Sequence, residues 1–190
     1  MRSLTIKAKI TLQIVSFTIG LMAVATICFL DLHASMLAQR KEAIQQIVDG
    51  AVSQIQGFYD ASKKGTITED EARKQAANLV HTLRYAGNNY LFVYNYNGVT
   101  ELHGTRADLE GKQRGAEVDA KGNAFIQQQI ANAKAGGGFT TYYFAKPGDD
   151  KTPYEKISYD APFAPWSWVV SSGVYVDDID NAFYDRLVSI

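Results

Sequence analysis

The stretch Tyr90-Leu91-Phe92-Val93-Tyr94-Asn95-Tyr96-Asn97-Gly98-Val99-Thr100-Glu101-Leu102-His103 reads as two strands around a turn. Residues 90–94 are apolar and aromatic, residues 95–98 carry the Asn and Gly that tight turns demand, and residues 99–103 form the returning strand. Downstream, a helix fits residues 123–134. Gly136-Gly137-Gly138 then opens a strand over 139–144, closed by Lys146-Pro147-Gly148, and further strands fit 155–159 and 167–175. Upstream, Thr68-Glu69-Asp70-Glu71 is a capping box that starts a helix. That helix carries Ala72, Ala76, Leu79, Val80 and Leu83 on one face and ends near Arg84. Before it, Leu37, Ile44, Val48, Ala51, Ile55 and Phe58 recur at spacings of seven, four and three, the stripe of a long helix with a coiled-coil-like seam. The order is helix, helix, two strands, helix, three strands. Lacking βα alternation, it predicts an α+β fold, with helices on one side of an antiparallel sheet.

The N-terminal helix has a second part. Residues 10–30 contain no charged side chain, and at about 1.5 Å per residue they cross roughly 30 Å of hydrocarbon. Arg2, Lys7 and Lys9 precede this segment and Asp31 follows, so the positive-inside bias puts the N-terminus in the cytoplasm and the rest outside. The division expected is a cytoplasmic start over 1–9, a transmembrane helix over 10–32, an extracytoplasmic domain over 33–183, and over 184–190 the start of an exit helix toward a further membrane segment. A cleaved signal peptide is the competing reading, since Ala23-Val24-Ala25 has the small residues of a cleavage site, although apolar sequence continues to Leu30. A buried helix of a soluble domain is the third.

With 19 basic and 20 acidic residues, the chain has no global field to hold a nucleic-acid backbone, so nucleic acid is not an expected partner. Its single cysteine, Cys28, lies in the apolar segment, leaving the rest without disulfide, thiolate or cysteine-metal chemistry. No Gly-x-Ser-x-Gly, His-Glu-x-x-His or P-loop motif is present, and Asp177, Asp178 and Asp180 lack the glycine and distal glutamate of a calcium loop. Neither an enzyme nor a cofactor is indicated.

Tyr85, the run 90–95 with Gly98, His103, Asp108-Leu109-Glu110-Gly111-Lys112, Asp119-Ala120-Lys121-Gly122, Gly138-Phe139, Lys146-Pro147-Gly148, Lys156-Ile157-Ser158-Tyr159, Pro165-Trp166-Ser167-Trp168-Val169 and the run 173–180 resemble, in order and spacing, the single Cache domains of bacterial methyl-accepting chemotaxis receptors and sensor kinases. The resemblance covers Leu37 onward. It implies a long N-terminal helix, continuous with the transmembrane helix, packed on a PAS-like five-stranded antiparallel sheet whose pocket binds a short-chain carboxylate such as acetate, propionate, pyruvate or lactate. It also implies a second membrane helix and a cytoplasmic output module beyond Ile190, making the chain a piece of a longer receptor for chemotaxis, or of a histidine kinase or cyclase. Family members often have Pro after the position of His103 and Trp at that of Phe144. Gly104 and Phe144 stand here, which bears on pocket size.

A carboxylate calls for preorganised donors, and Arg84, His103 and Lys156 are the candidates. Each also has a structural role open to it: Arg84 complementing a helix C-terminus, Lys156 solvated on a strand, His103 satisfying a nearby carbonyl. Tyr94, Tyr142 and Tyr159 offer hydroxyls on rigid apolar bodies. Alternation along 140–146 puts Tyr142 and Phe144 on one face and Thr141 and Tyr143 on the other. The family position selects Tyr142, while Trp166 and Trp168 anchor the last strand. The Leu37-to-Phe58 seam suits a homodimer, packing on the chain's own sheet, or both. A protein-interaction module with no small-molecule ligand is the alternative function.

Overall fold

The computed structural model describes residues 5–188, in two compact units that divide after Ala38. A single helix, α1 (Ile6–Lys63), enters both. In the first unit it is long and apolar enough to cross a membrane, and every side chain from Ile10 to Leu30 is exposed. In the second unit its stripe turns inward, with Ile44, Val48, Ala51 and Ile55 essentially without solvent contact. Gly50 and Gly57 face open space.

Next comes α2 (Glu69–Thr82), whose first turn is capped as its sequence requires: the Thr68 hydroxyl accepts the Glu71 N–H at 3.1 Å. It ends two residues before Arg84, with Leu83 already in extended backbone. Arg84–Tyr85 is instead the short strand β1. Then follow β2 (Asn89–Asn95), β3 (Thr100–His103), α3 (Phe125–Lys134), β4 (Gly138–Lys146), β5 (Asp149–Phe163), β6 (Trp168–Tyr175) and α4 (Val176–Val188). The sheet is antiparallel throughout, in the order β1-β2-β6-β5-β4 with β3 also beside β2. The sixth strand is β1, where the sequence pattern had run the helix on. Helix α4 starts at Val176, directly after β6, where the exit helix was expected from residue 184; residues 189–190 of that expected segment lie outside the described residues.

Helices cover both faces, where the element order had suggested one. Tyr159 of β5 meets Gln45 of α1, while Ser158 of the same strand meets Gln129 of α3. All of β6 and the middle of β2 are therefore buried on both sides. Strand β4 forms an edge, and there Asp119 accepts the Tyr143 N–H at 3.0 Å.

The β2–β3 turn clips down the loop that follows. Gly98 has φ +83°, and a Cβ there would meet the Gly115 Cα at 2.5 Å, so only glycine allows the approach. Across it the Arg114 N–H donates to the Gly98 carbonyl at 2.9 Å. Arg114 is thereby fixed against the sheet although no helix or strand carries it.

Candidate ligand-binding site

Alternation along the strands gathers one set of side chains on the α3 face. Strand β2 contributes Tyr90, Phe92 and Tyr94, and β4 contributes Tyr142 and Phe144. Lys156 of β5 lies directly between its register partners Tyr142 and Tyr175. Phe125 of α3 closes over them, stacked on Tyr142 with ring centroids 4.7 Å apart.

Lys156 is the centre of this face. Its residue surface is 1% exposed, and its Nζ donates to the Tyr90 hydroxyl at 3.0 Å. The ammonium lies 4.2 Å from the Tyr90 ring centroid, 4.9 Å from Tyr175, 5.2 Å from Phe92 and 5.7 Å from Phe144. Among the described residues no carboxylate pairs with it. A buried cation held only by rings and one hydroxyl is costly, since rings replace little of its lost hydration. Its field is visible on Tyr90: burial alone would raise that phenol, but the adjacent Lys156 holds it below its ordinary range.

A second buried cation stands beyond Phe144. The Arg114 guanidinium lies 5.8 Å from that ring, its Nε donates to Glu117 at 2.5 Å, and its Nη1 is buried without a partner. Sequence reasoning missed Arg114. It sits in an aperiodic loop, and its inward course depends on the contact between Gly98 and Gly115, seventeen residues apart, which no local pattern announces.

His103 packs among the same rings, 5.0 Å from Tyr90 and 5.9 Å from Phe92 by centroids. Its Nδ1 accepts the backbone N–H groups of Thr105 (3.3 Å) and Arg106 (3.0 Å), which assigns the hydrogen to Nε2. Burial, then the neighbouring Lys156 and Arg114 charges, push the imidazole down to about 3. It is a neutral donor. Burial holds the Tyr94 and Tyr142 phenols protonated far above neutrality, so both are hydroxyl donors too.

Two expected residues fall elsewhere. Arg84 is exposed, and its guanidinium donates to the Leu83 carbonyl at 2.7 Å and to the Gly104 carbonyl. Satisfying the end of α2 and the turn after β3 consumes it. Tyr159 points to the opposite face, where it packs on Phe139 and accepts from Gln45 at 3.4 Å. Three positions from Lys156 on one strand, it has the wrong parity for the cluster. Tyr94, His103, Tyr142, Phe144 and Lys156 come together.

Farther along β5 on the Lys156 face, Asp160 is buried and accepts from Thr140 (2.6 Å), Ser171 (2.8 Å) and Ser158 (3.0 Å). Burial raises it to about 6. A small cavity of ≈ 170 Å³ reaches the cluster from the other end, walled by Tyr90, Thr105, Arg106 and the β4–β5 hairpin from Phe144 to Gly148. Tyr90 and Phe144 separate it from the Lys156 ammonium. A larger hollow of ≈ 530 Å³, lined by Arg40, Asn88, Asn89 and Asp178, abuts Tyr175 but includes none of the buried cations. Among the described residues no cluster of His, Cys, Asp or Glu is arranged to hold a metal ion.

Residues 36–188 match the family model of single Cache domain 2. The chain belongs to that family. A methyl-accepting chemotaxis protein of Pseudomonas putida, McpP, is 27% identical over 188 residues, 98% of this chain and 34% of its own length. A sensor histidine kinase of Rhizobium johnstonii, MctS, is 32% identical over 181 residues, 90% of this chain and 38% of its own. The chain thus spans little more than a third of either. The solved structure of a Cache chemosensory domain, described by its recognition of carboxylic acids, superposes with a TM-score of 0.71 at 30% identity, covering 76% of this chain and 98% of that one. The Cache fold of this chain is that of its chemosensory relatives.

Proposed function

We propose that this Cache domain is the extracytoplasmic sensor of a transmembrane receptor for chemotaxis and that its ligand is a small monocarboxylate such as acetate, propionate, pyruvate or lactate. The observation that carries the reading is the Lys156 ammonium, sealed among aromatic rings with no anion of its own among the described residues. An incoming carboxylate supplies the missing charge, and Arg114 Nη1, His103 Nε2 and the Tyr94 and Tyr142 hydroxyls are the further donors available to its oxygens. Arg114 is already neutralised by Glu117, so the site has room for one net negative charge. The solved relative described by carboxylic acid recognition supports the same ligand class.

In this reading residues 10–32 span the inner membrane, residues 1–9 are cytoplasmic and residues 33–183 face the periplasm. The exposed side of α1 around Gly50 and Gly57 takes a second copy in a homodimer. Ligand binding selects one arrangement of the sheet and biases α4, which leads out of the domain. Calorimetric titration of the chain with acetate, propionate, pyruvate and lactate tests the ligand class. At least one should bind with one site per chain and lose binding in Lys156→Met. Failure of all four, in a chain that is folded by circular dichroism, overturns it.

A further inference from the structure

Lys146 is outside the candidate ligand residues, yet it joins the roof of the cavity to α4. It ends β4, in the hairpin that walls the ≈ 170 Å³ cavity, and its Nζ donates to Asp177 Oδ2 and to Asp178 Oδ1, both at 2.6 Å. Those carboxylates are in the first turn of α4. Each pair is partly exposed and weak by itself. One ammonium bonded to two successive carboxylates, however, fixes the direction in which the helix start can move.

Tyr175 links this contact to the ligand face. It is the last residue of β6, immediately before α4, and the register partner of Lys156. Its hydroxyl donates to the Ala145 carbonyl at 2.6 Å, pinning the roof from below. The Lys156 Nζ is 4.9 Å from the centroid of the Tyr175 ring, and the Lys146 Nζ is 5.2 Å from the same centroid. Two like charges therefore share one ring, and each weakens the other's hold on it.

We propose that Lys146 is a positioning residue which reads the charge state of Lys156 across the Tyr175 ring and passes it to the first turn of α4. The proposal rests on Lys156 being the anion site. Neutralising Lys156 removes one of the two charges on the ring, strengthens the seat of Lys146 on Tyr175, and shifts its pull on Asp177 and Asp178. The roof and the exit helix then move as one body.

Hydrogen exchange across residues 176–184 tests this without any ligand, because Lys156→Met removes the same charge. We expect Lys156→Met to change exchange there about threefold or more, the same substitution to have no effect in a Lys146→Met chain, and Lys146→Arg to restore the response. Equal effects of Lys156→Met in both backgrounds, or no effect in either, overturn the proposal. If Lys156→Met does not fold, Lys156→Gln takes its place. A parallel titration with sodium propionate separates the two claims: propionate binding indifferent to Lys156→Met counts against the ligand site, while the four-variant comparison still judges Lys146.

Discussion

The Lys156 ammonium donates to the Tyr90 phenol oxygen at 3.0 Å, with both residues almost wholly buried. The phenol occupies the position in which an anion would be most strongly held, and it is a poor substitute for a carboxylate. Lys156→Met should therefore act oppositely on binding and on stability. Carboxylate affinity should fall about a hundredfold or more, as when a buried charge partner is truncated. The melting temperature should stay level or rise, because an unpaired buried charge is replaced by an apolar chain of similar length. Calorimetry and thermal denaturation on one preparation check both signs.

Arg84 and Arg114 offer a paired comparison. Arg114→Ala should cost at least about tenfold in carboxylate affinity, since Arg114 lies against the cluster with a free buried nitrogen. Arg84→Ala should leave affinity within about twofold and lower stability by about 1 kcal/mol, the usual worth of a hydrogen bond to a carbonyl. Reversed effects would move the site toward α2.

Phe144 limits the length of the guest. Phe144→Leu should shift preference toward longer acids by about fourfold per added methylene, following about 0.8 kcal/mol per buried CH₂. Competition of propionate, butyrate and valerate in the variant and the parent measures it.

Two buried groups set the acid response in opposite senses. His103 is held to about 3 in the fold and is near 6.5 when unfolded, so below 6.5 only the unfolded chain takes up its proton. Its contribution is complete above pH 6.5 and is lost as pH falls toward 3, with a limiting slope of about 1.4 kcal/mol per pH unit. Asp160, raised to about 6, binds its proton more tightly in the fold, so its contribution is present below about pH 4 and is lost as pH rises through 6. In the parent the two oppose each other between pH 4 and 6. Urea denaturation of His103→Gln over that range should show stability rising on acidification, the slope of Asp160 alone, and an Asp160→Asn/His103→Gln double variant should lose that slope.

Much of the fold was legible because its signals are local. The Thr68 cap, the Asn95-to-Gly98 turn and the α1 stripe each depend on residues within a few positions, and each forms as its sequence requires. The site was legible only in part. Tyr94, Tyr142, Phe144 and Lys156 are strand residues whose parity puts them on one face once the register is set. Tyr159, offered for its hydroxyl, stands an odd number of residues from Lys156, and that same parity puts it on the other face. Arg84 was placed by nearness to a helix end, but carbonyls of Leu83 and Gly104 claim its donors. Arg114 owes its position to two glycines meeting across the β2–β3 turn, a tertiary contact that composition and period do not encode. The helix over 123–134 was legible but the face it covers was not, because that is set by its packing on Tyr142 and Ser158, contacts made across the fold.

The Asp119 carboxylate on the Tyr143 N–H has an effect beyond its own loop. Strand β4 would otherwise offer open hydrogen-bonding groups along its outer margin, an invitation to strands of neighbouring molecules. With that position already taken, a strand from a second copy meets an interrupted row of donors and finds no continuous ladder to extend.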